Sequence, residues 1–290
     1  MTVHQTLPKS PLAEADDPRL VRSFSYIGGK WNQGAEGASF AVTNPADGEW
    51  LGEVAKLTGA DSTRAVDAAE AAFEPWSNTL PQDRARLLRR WYELMIEHRE
   101  DLARIMVLEQ GKPISEARGE IDYAASFVEY YAEESKRPNI EGVTSHLPDA
   151  EVELWLEPVG VAALITPWNF PNAMLMRKVA PALAAGCTMV AKPAEDTPLS
   201  TLYVAHLAKE IGYPDGVINV IPGIGEQTGA ALSENPNLKR MSFTGSPEVG
   251  RMVASNCGGN LIPVKLELGG KGAAVIFNDV DINDAAEKLV

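Results

Sequence analysis

The sequence predicts a doubly wound α/β fold: a mostly parallel sheet with helices packed on both faces. Three observations carry that prediction. Between residues 159 and 268, short apolar runs bounded by Gly and Pro alternate with helical stretches, the pattern of parallel strands joined by crossover helices. The first of these runs, VGVAALI at 159–165, is apolar without a break, as strands buried on both faces are. The composition, 45% apolar and 23% charged, is ordinary globular usage, and 290 residues correspond to about two domains.

Taken in order, residues 1–23 carry Pro8, Pro11 and Pro18 among polar residues and no periodic apolar pattern, which reads as a flexible arm. From Phe24 to Val54, short β-like runs are broken by Gly28-Gly29, Gly34, Asn44-Pro45 and Asp47-Gly48, the punctuation of hairpins. Asp61 can cap a helix reaching about Phe73. Pro81 opens a longer one, in which Leu87, Leu88, Trp91, Leu94 and Met95 recur at helical spacing up to a stop at Gly111. A third helix spans about Ser115 to Glu134. Residues 138–158 read as a protruding β-hairpin, with Val152, Leu154 and Leu156 alternating with Glu153, Trp155 and Glu157. Its large apolar side chains suit pairing with another subunit, or equally an ordinary edge hairpin.

The alternating region then runs VGVAALI (159–165), a helix to Gly186, TMVAK (188–192), a helix to Ile211, VINVI (217–221), a short helix, RMSF (240–243), a helix to about Asn256, and VKLEL (264–268). Residues 24–137 and 159–268 are grouped as one domain, whose ligands belong at the carboxyl ends of its strands. Residues 269–290 begin a further domain. Their helix after Asp281 ends on Leu289-Val290 without a cap, so the sequence reads as unfinished.

Charge and cysteine usage exclude several classes. Lys and Arg number 26 against 40 Asp and Glu, a net charge of −14; such a surface repels phosphate backbones and anionic lipid, arguing against nucleic acid and membrane as partners. Cys187 and Cys257 cannot build a disulfide framework, and a reducing, cytoplasmic setting is expected. The N-terminus has no apolar core of a signal peptide, and the longest apolar stretches, such as Val159 to Ile165, are too short to span a bilayer. His4, His98, His146 and His206 have no local partner at ligand spacing, so no metal site is expected.

Five segments carry candidate chemistry. The fingerprint G-x-G-x-x-G is absent; Gly223, Gly225 and Gly229 give a spacing one residue too long after the VINVI strand, a flexible turn or a nucleotide contact. Tyr26 and Lys30 form a Y-x-x-x-K pair, but in a Gly-Gly hairpin ahead of any nucleotide-binding unit, and the match is rejected. Thr166-Pro167-Trp168-Asn169-Phe170-Pro171 stands where a buried strand gives way to a helix; a rigidly held Asn169 amide is what a developing oxyanion needs, or it simply caps the helix. Lys192-Pro193-Ala194-Glu195 ends the next strand, and its Lys and Glu could grip a diol from two sides. Phe243-Thr244-Gly245-Ser246 offers a hydroxyl and free N–H groups at a helix N-terminus, a phosphate cradle or an ordinary Ser cap before Pro247. Leu266-Glu267-Leu268-Gly269-Gly270-Lys271 puts a carboxylate at a strand end: half-buried, its pKa would rise and fit a general base, or it pairs with Lys265 or Lys271 and does nothing chemical.

Together, the order and spacing of PWNFP, KPAE, FTGS and ELGGK, at 167–171, 192–195, 243–246 and 267–271, closely resemble the aldehyde dehydrogenase superfamily from about Phe24 to Val290. The resemblance implies a Rossmann-like NAD-binding domain and NAD(P)-dependent oxidation of an aldehyde to a carboxylic acid. A cysteine thiolate attacks the carbonyl, an asparagine amide, here Asn169, holds the thiohemiacetal oxyanion, and a glutamate, here Glu267, activates the water that hydrolyses the thioester. Lys178 matches a lysine linked to proton transfer. Lys192 and Glu195 match ribose ligands, Gly245 and Ser246 pyrophosphate contacts, and Gly225 falls near the adenine side; Ile165, Thr166, Trp168 and Leu268 complete the implied cofactor contacts. Because Glu195 would repel a 2′-phosphate, NAD is expected over NADP. Met174-Leu175-Met176-Arg177-Lys178 looks like the succinate-semialdehyde branch, where Arg177 would pair a distal substrate carboxylate, or Arg177 is a surface helix residue; a general or betaine-type aldehyde enzyme is the alternative. A dimer or tetramer is implied for the whole enzyme.

One departure matters. The family's nucleophile lies in a G-Q-x-C segment roughly three dozen residues after the glutamate, and only residues 268–290 follow Glu267 here. Neither Cys187 nor Cys257 matches it, and both read as structural thiols. The catalytic domain is therefore expected to be largely missing and the chain alone inactive: the N-terminal part of an enzyme, or a non-catalytic NAD-binding or subunit-pairing homologue.

Overall fold

The computed structural model describes residues 23–137 and 140–289, so the arm expected over 1–23, except Ser23, and residues 138 and 139 of the expected hairpin lie outside the described residues. Ser25–Ile27 (β1) and Lys30–Asn32 (β2) form a hairpin about Gly28 and Gly29, whose φ of 57° and 76° lie in the left-handed region where a side chain is strained. Ser39–Thr43 (β3) and Trp50–Ala55 (β4) pair as a separate antiparallel ribbon. In Gly59–Ser77 (α1), Thr58 is the cap: its hydroxyl accepts from the Asp61 N–H, and the Asp61 carboxylate accepts from the Thr58 N–H at 2.9 Å. Asp61 thus closes a capping box from inside the helix instead of standing at its end.

The single helix expected from Pro81 to Gly111 is two, Pro81–Glu97 (α2) and Arg99–Gln110 (α3), broken at His98. The sequence conceals the break because the buried Met95 and Leu102 are seven residues apart, two helical turns, so the apolar period runs through it. Gly111, at φ 88°, ends α3 in the left-handed conformation. Ile114–Glu134 (α4) follows. Ile140–Val143 (β5) and Val152–Trp155 (β6) pair antiparallel and are exposed throughout.

Then come Val161–Ile165 (β7), Pro171–Ala185 (α5), Thr188–Lys192 (β8), Pro198–Ile211 (α6), Ile218–Val220 (β9), Ala230–Glu234 (α7), Arg240–Gly245 (β10), Pro247–Gly259 (α8), Val264–Leu268 (β11) and Ile282–Leu289 (α9). The main sheet has the order β11-β10-β7-β8-β9-β1-β2. From β11 to β9 it is parallel, and the first hairpin extends it antiparallel through Tyr26 opposite Val220. The fold is the doubly wound α/β arrangement the sequence predicts.

Period-two alternation divides each central strand between two cores. Ala162 and Leu164 of β7, with Met189 and Ala191 of β8, join the core formed with α2 to α6. Val161, Ala163, Ile165 and Val190 face the other core, with α1, α7 and α8. Both faces of the strands are therefore apolar, and their carboxyl ends all open on one edge.

Candidate functional site

The sheet order sets the site. From β7 the chain winds outward to β8 and β9, then returns to place β10 on the other side of β7. The loops after β7 and β10 therefore diverge, opening the crevice expected at a topological switch point. A cavity of about 310 Å³ lies there, lined by Ile165, Thr166 and Trp168 after β7, Lys192 and Glu195 after β8, Gly225, and Gly245 and Ser246 after β10, with Phe243, Met252 and Val253 as an apolar wall.

Lys192 is 3% exposed; its Nζ donates to the Pro193 carbonyl at 2.9 Å and to Glu195 Oε2 at 3.1 Å. Burial pushes the Lys192 amine down, more than Glu195 pulls it up. Burial pushes the Glu195 carboxyl up, but the Lys192 charge, with hydrogen bonds from the Glu195 and Gly225 N–H groups, leaves it below the usual range. The two side chains expected to grip a diol from two sides are thus closed on each other, with the pair facing the cavity.

The glycine spacing that is one residue too long is taken up by a single π-helical turn, Gly225–Gly229, whose wider i→i+5 loop accommodates the extra residue. At the end of β10, the Ser246 hydroxyl accepts from the Val249 N–H at 3.3 Å with Pro247 at the first helical position, so Ser246 caps α8 while also lining the cavity. A Cβ on Gly245 would come within 2.6 Å of the Phe243 ring, so only glycine leaves this wall in place. The Thr166 and Thr244 hydroxyls, both lining the cavity, are buried without a hydrogen-bond partner, a costly state that a polar ligand would relieve. An acid–amine pair, a helix N-terminus and unpaired hydroxyls fit a dinucleotide's ribose and pyrophosphate. Leu268 stands outside this lining, packed on α8, where a Cβ at Gly250 would meet it at 2.5 Å.

A second groove runs between α5 and the uncovered face of β10 and β11, lined among others by Arg177, Lys178, Cys187, Arg240, Ser242, Lys265 and Glu267. Lys178 Nζ donates to Ser242 Oγ at 3.0 Å. Burial, helped by the neighbouring Arg177 and opposed by Glu267, pushes its pKa down to about 8. Glu267 corrects an expectation: it is exposed rather than half-buried, and its carboxyl lies below, not above, the usual range because Lys265 hydrogen-bonds and ion-pairs with it, at 3.2 Å. The cause is position, since β11 is the edge strand and, among the described residues, no element covers this face of it. Arg177 is exposed, its guanidinium 5.6 Å from the centre of the Phe127 ring. Cys187 lies at the opposite sheet edge from Lys192, five strand residues or about 16 Å away.

Asn169 follows β7 on the loop to α5, is exposed, and is not among the residues lining either opening. It does not cap α5: the cap position is Phe170, with no side-chain bond. That task falls to Glu120, which the sequence reading missed, as it missed Lys112, Glu109 and Ser242. The Glu120 and Glu109 signal is visible in retrospect. Each sits on an otherwise apolar stripe, with Ala117, Ile121 and Ala124 in α4 and with Leu102, Ile105 and Met106 in α3, where an acid needs a buried partner. Among the described residues, no group of three or more His, Cys, Asp or Glu is placed to hold a metal ion, and no helix is long and apolar enough to cross a membrane.

Over residues 31–290 the sequence matches the aldehyde dehydrogenase family. The chain belongs to that family. It is 48% identical over 273 residues to a succinate-semialdehyde dehydrogenase of Escherichia coli strain K12, named as an NADP(+) enzyme, covering 94% of this chain and 56% of that one. It is 46% identical to a glutarate-semialdehyde dehydrogenase of Pseudomonas aeruginosa, covering 93% and 56%. Among solved structures it resembles an E. coli NADP-dependent enzyme (TM-score 0.92, 46% identity, 94% of this chain and 57% of that one). It also resembles betaine aldehyde dehydrogenase of Staphylococcus aureus in complex with NAD+ (TM-score 0.90, 37% identity, 92% and 54%). The chain thus spans a little over half the length of these family members.

Proposed function

We propose that the chain provides the NAD(P)-binding part of an enzyme oxidising an aldehyde to its carboxylic acid, together with residues that hold the reacting oxygen and move protons. The observation that carries this is the switch-point cavity, which gathers the Lys192–Glu195 pair, Ser246 at the α8 N-terminus and two unpaired hydroxyls in a member of this family. A bound nicotinamide dinucleotide would supply the hydride acceptor. Lys192 would donate to, and Glu195 would accept from, its ribose hydroxyls; Gly245 would leave room for close approach, and Trp168, Phe243 and Met252 would limit water. The Asn169 amide donates to the aldehyde oxygen as charge develops on it. Glu267, ionised beside Lys265, is in the form that takes a proton from water, and covering its face would raise its basicity. Lys178, with its amine near neutrality, exchanges a proton along the same groove.

The reading extends to substrate and cofactor. Arg177, Lys178, Arg240 and Lys265 outnumber Glu267 in the groove, which favours an anionic aldehyde such as succinate semialdehyde over a general or betaine-type one. Glu195 favours NAD over NADP through repulsion of a 2′-phosphate. The exposed β5–β6 hairpin suits pairing in a homo-oligomer, and the low cysteine content suits the cytoplasm. Cys257 is wholly buried, its thiol pushed up by that burial, and Cys187, though it borders the groove, is buried and stands at the opposite end of β8 from Lys192 and the cavity, so neither serves as nucleophile and the 290 residues alone are expected to produce no NADH.

Calorimetry of the chain with NAD+ and NADP+ tests the cofactor assignment: saturable binding, tighter for NAD+, is expected. Absence of heat with either dinucleotide removes it, and tighter NADP+ binding removes the Glu195 argument. Aldehyde-dependent NADH formation lost on Cys187→Ala would overturn the assignment of the thiols.

A further inference from the structure

The loop carrying Trp168 and Asn169 is held by a buried ion pair that belongs to neither opening. Lys112, just past the end of α3, is 8% exposed, and Glu120 in α4 is 3% exposed. Lys112 Nζ donates to Glu120 Oε2 at 2.5 Å and to the Asn169 carbonyl at 2.9 Å, and lies 4.1 Å from the centre of the Phe170 ring. An ammonium has three donors; two meet oxygens and the third side meets an aromatic face. The other Glu120 oxygen accepts from the Asn172 and Ala173 N–H groups at 2.9 and 3.1 Å, the free N–H groups at the start of α5.

We propose that Lys112 and Glu120 are positioning residues that set the 166–170 loop, acting through the Asn169 carbonyl and the first turn of α5. This deepens the dinucleotide reading and rests on it, because the same loop carries Thr166 and Trp168 into the cavity. The physical logic is a transfer of labour. An asparagine at a strand-to-helix junction ordinarily spends its side chain capping the helix. Here Glu120, reaching across from another helix, satisfies those N–H groups, and Lys112 fixes the Asn169 main chain. The Asn169 amide is thereby released from structural duty while its backbone stays anchored, the condition for a preorganised donor. The neighbouring helix supplies an internal control: the α6 N-terminus is capped in the same manner by Glu109, through the Leu199 and Ser200 N–H groups at 2.8 Å each, with no lysine involved.

The test combines residue-resolved amide hydrogen exchange with NAD+ calorimetry on the whole chain and its Lys112→Met and Glu120→Gln variants. Lys112→Met is expected to speed exchange of the Asn172 and Ala173 amides at least tenfold, leave the Leu199 and Ser200 amides within twofold of the unaltered chain, and weaken NAD+ binding about tenfold. Glu120→Gln keeps shape and volume, and is expected to show the same pattern with a smaller loss of affinity. Equal acceleration at both helix starts would reduce the pair to general stability and overturn the proposal. So would unchanged NAD+ affinity in a variant whose loop amides have been freed. Should the unaltered chain bind no dinucleotide, the functional reading fails, whereas the exchange contrast between the two helices still reports separately on what the pair holds in place. If Lys112→Met does not fold, Glu120→Gln decides by the same criteria.

Discussion

Glu109→Gln isolates a competition between two forces on one carboxyl. Glu109 is 2% exposed, and its oxygens accept from the Leu199 and Ser200 N–H groups, each at 2.8 Å. Burial pushes its pKa up from 4.5 to about 7, against the pull of the Ser200 hydroxyl and those two N–H groups. Between these values the folded chain holds a proton that the unfolded chain has released, so this residue's contribution to stability falls as pH rises from 4.5 through 7. A shift of roughly 2.5 pKa units is worth about 3 kcal/mol. With an unfolding entropy of about 0.6 kcal/mol/K for a chain of this length, that corresponds to about 5 °C in Tm. Thermal melts followed by circular dichroism at pH 7.5, 6.5 and 5.0 check it. Because Gln cannot titrate, and the window from pH 7.5 to 5.0 spans about 70% of the shift, the original chain should gain about 4 °C relative to the variant as pH falls across it. The difference between the two cancels the titration of every other carboxylate. A flat difference, or one in which the original chain loses ground on acidification, would show that the two N–H groups outweigh burial, and would refute the reasoning.

Other expectations concern the two openings. In the groove, the Lys178 side chain should titrate by NMR with a midpoint about 8, and Glu267→Gln should move it lower, since Glu267 favours the charged form; a midpoint above 10 would remove the burial argument. Gly245→Val forces a branched side chain against the Phe243 ring and is expected to weaken NAD+ binding at least tenfold by calorimetry; an unchanged affinity would show that the wall is soft. Glu195→Gln should raise NADP+ affinity relative to NAD+ about fivefold or more as read by the same titrations, while an unaltered ratio would take cofactor choice away from this residue.

Much of the fold was legible because the central strands are short, largely apolar and punctuated by Gly and Pro; TMVAK and VKLEL occupy the predicted positions. The break at His98 was not, since neither Gly nor Pro marks it and the apolar spacing is continuous across it. Nor could local sequence show that the β1–β2 hairpin joins the main sheet beside β9, because Tyr26 and Val220 are far apart along the chain. The loops around the cavity were legible for a topological reason: parallel strands bring all their carboxyl ends to one edge, so motifs scattered from 165 to 246 converge. The state of Glu267 was legible only as one of two alternatives, because the choice between them depends on the bare face of an edge strand. The helix-capping work of Glu109 and Glu120 depends on partners 52 to 91 residues away, a separation that no local pattern reveals.

The strand pair β10–β11 wears oily residues on one side only. Met241, Phe243 and Leu266 turn toward α8, whereas Arg240, Ser242, Lys265 and Glu267 look out over the groove beside α5. That groove also has an apolar floor and wall, from Val159, Ala162 and Leu164. Any second lobe settling there would meet charge and oil together, so part of its grip should loosen as salt is added and recover on dilution while the rest persists.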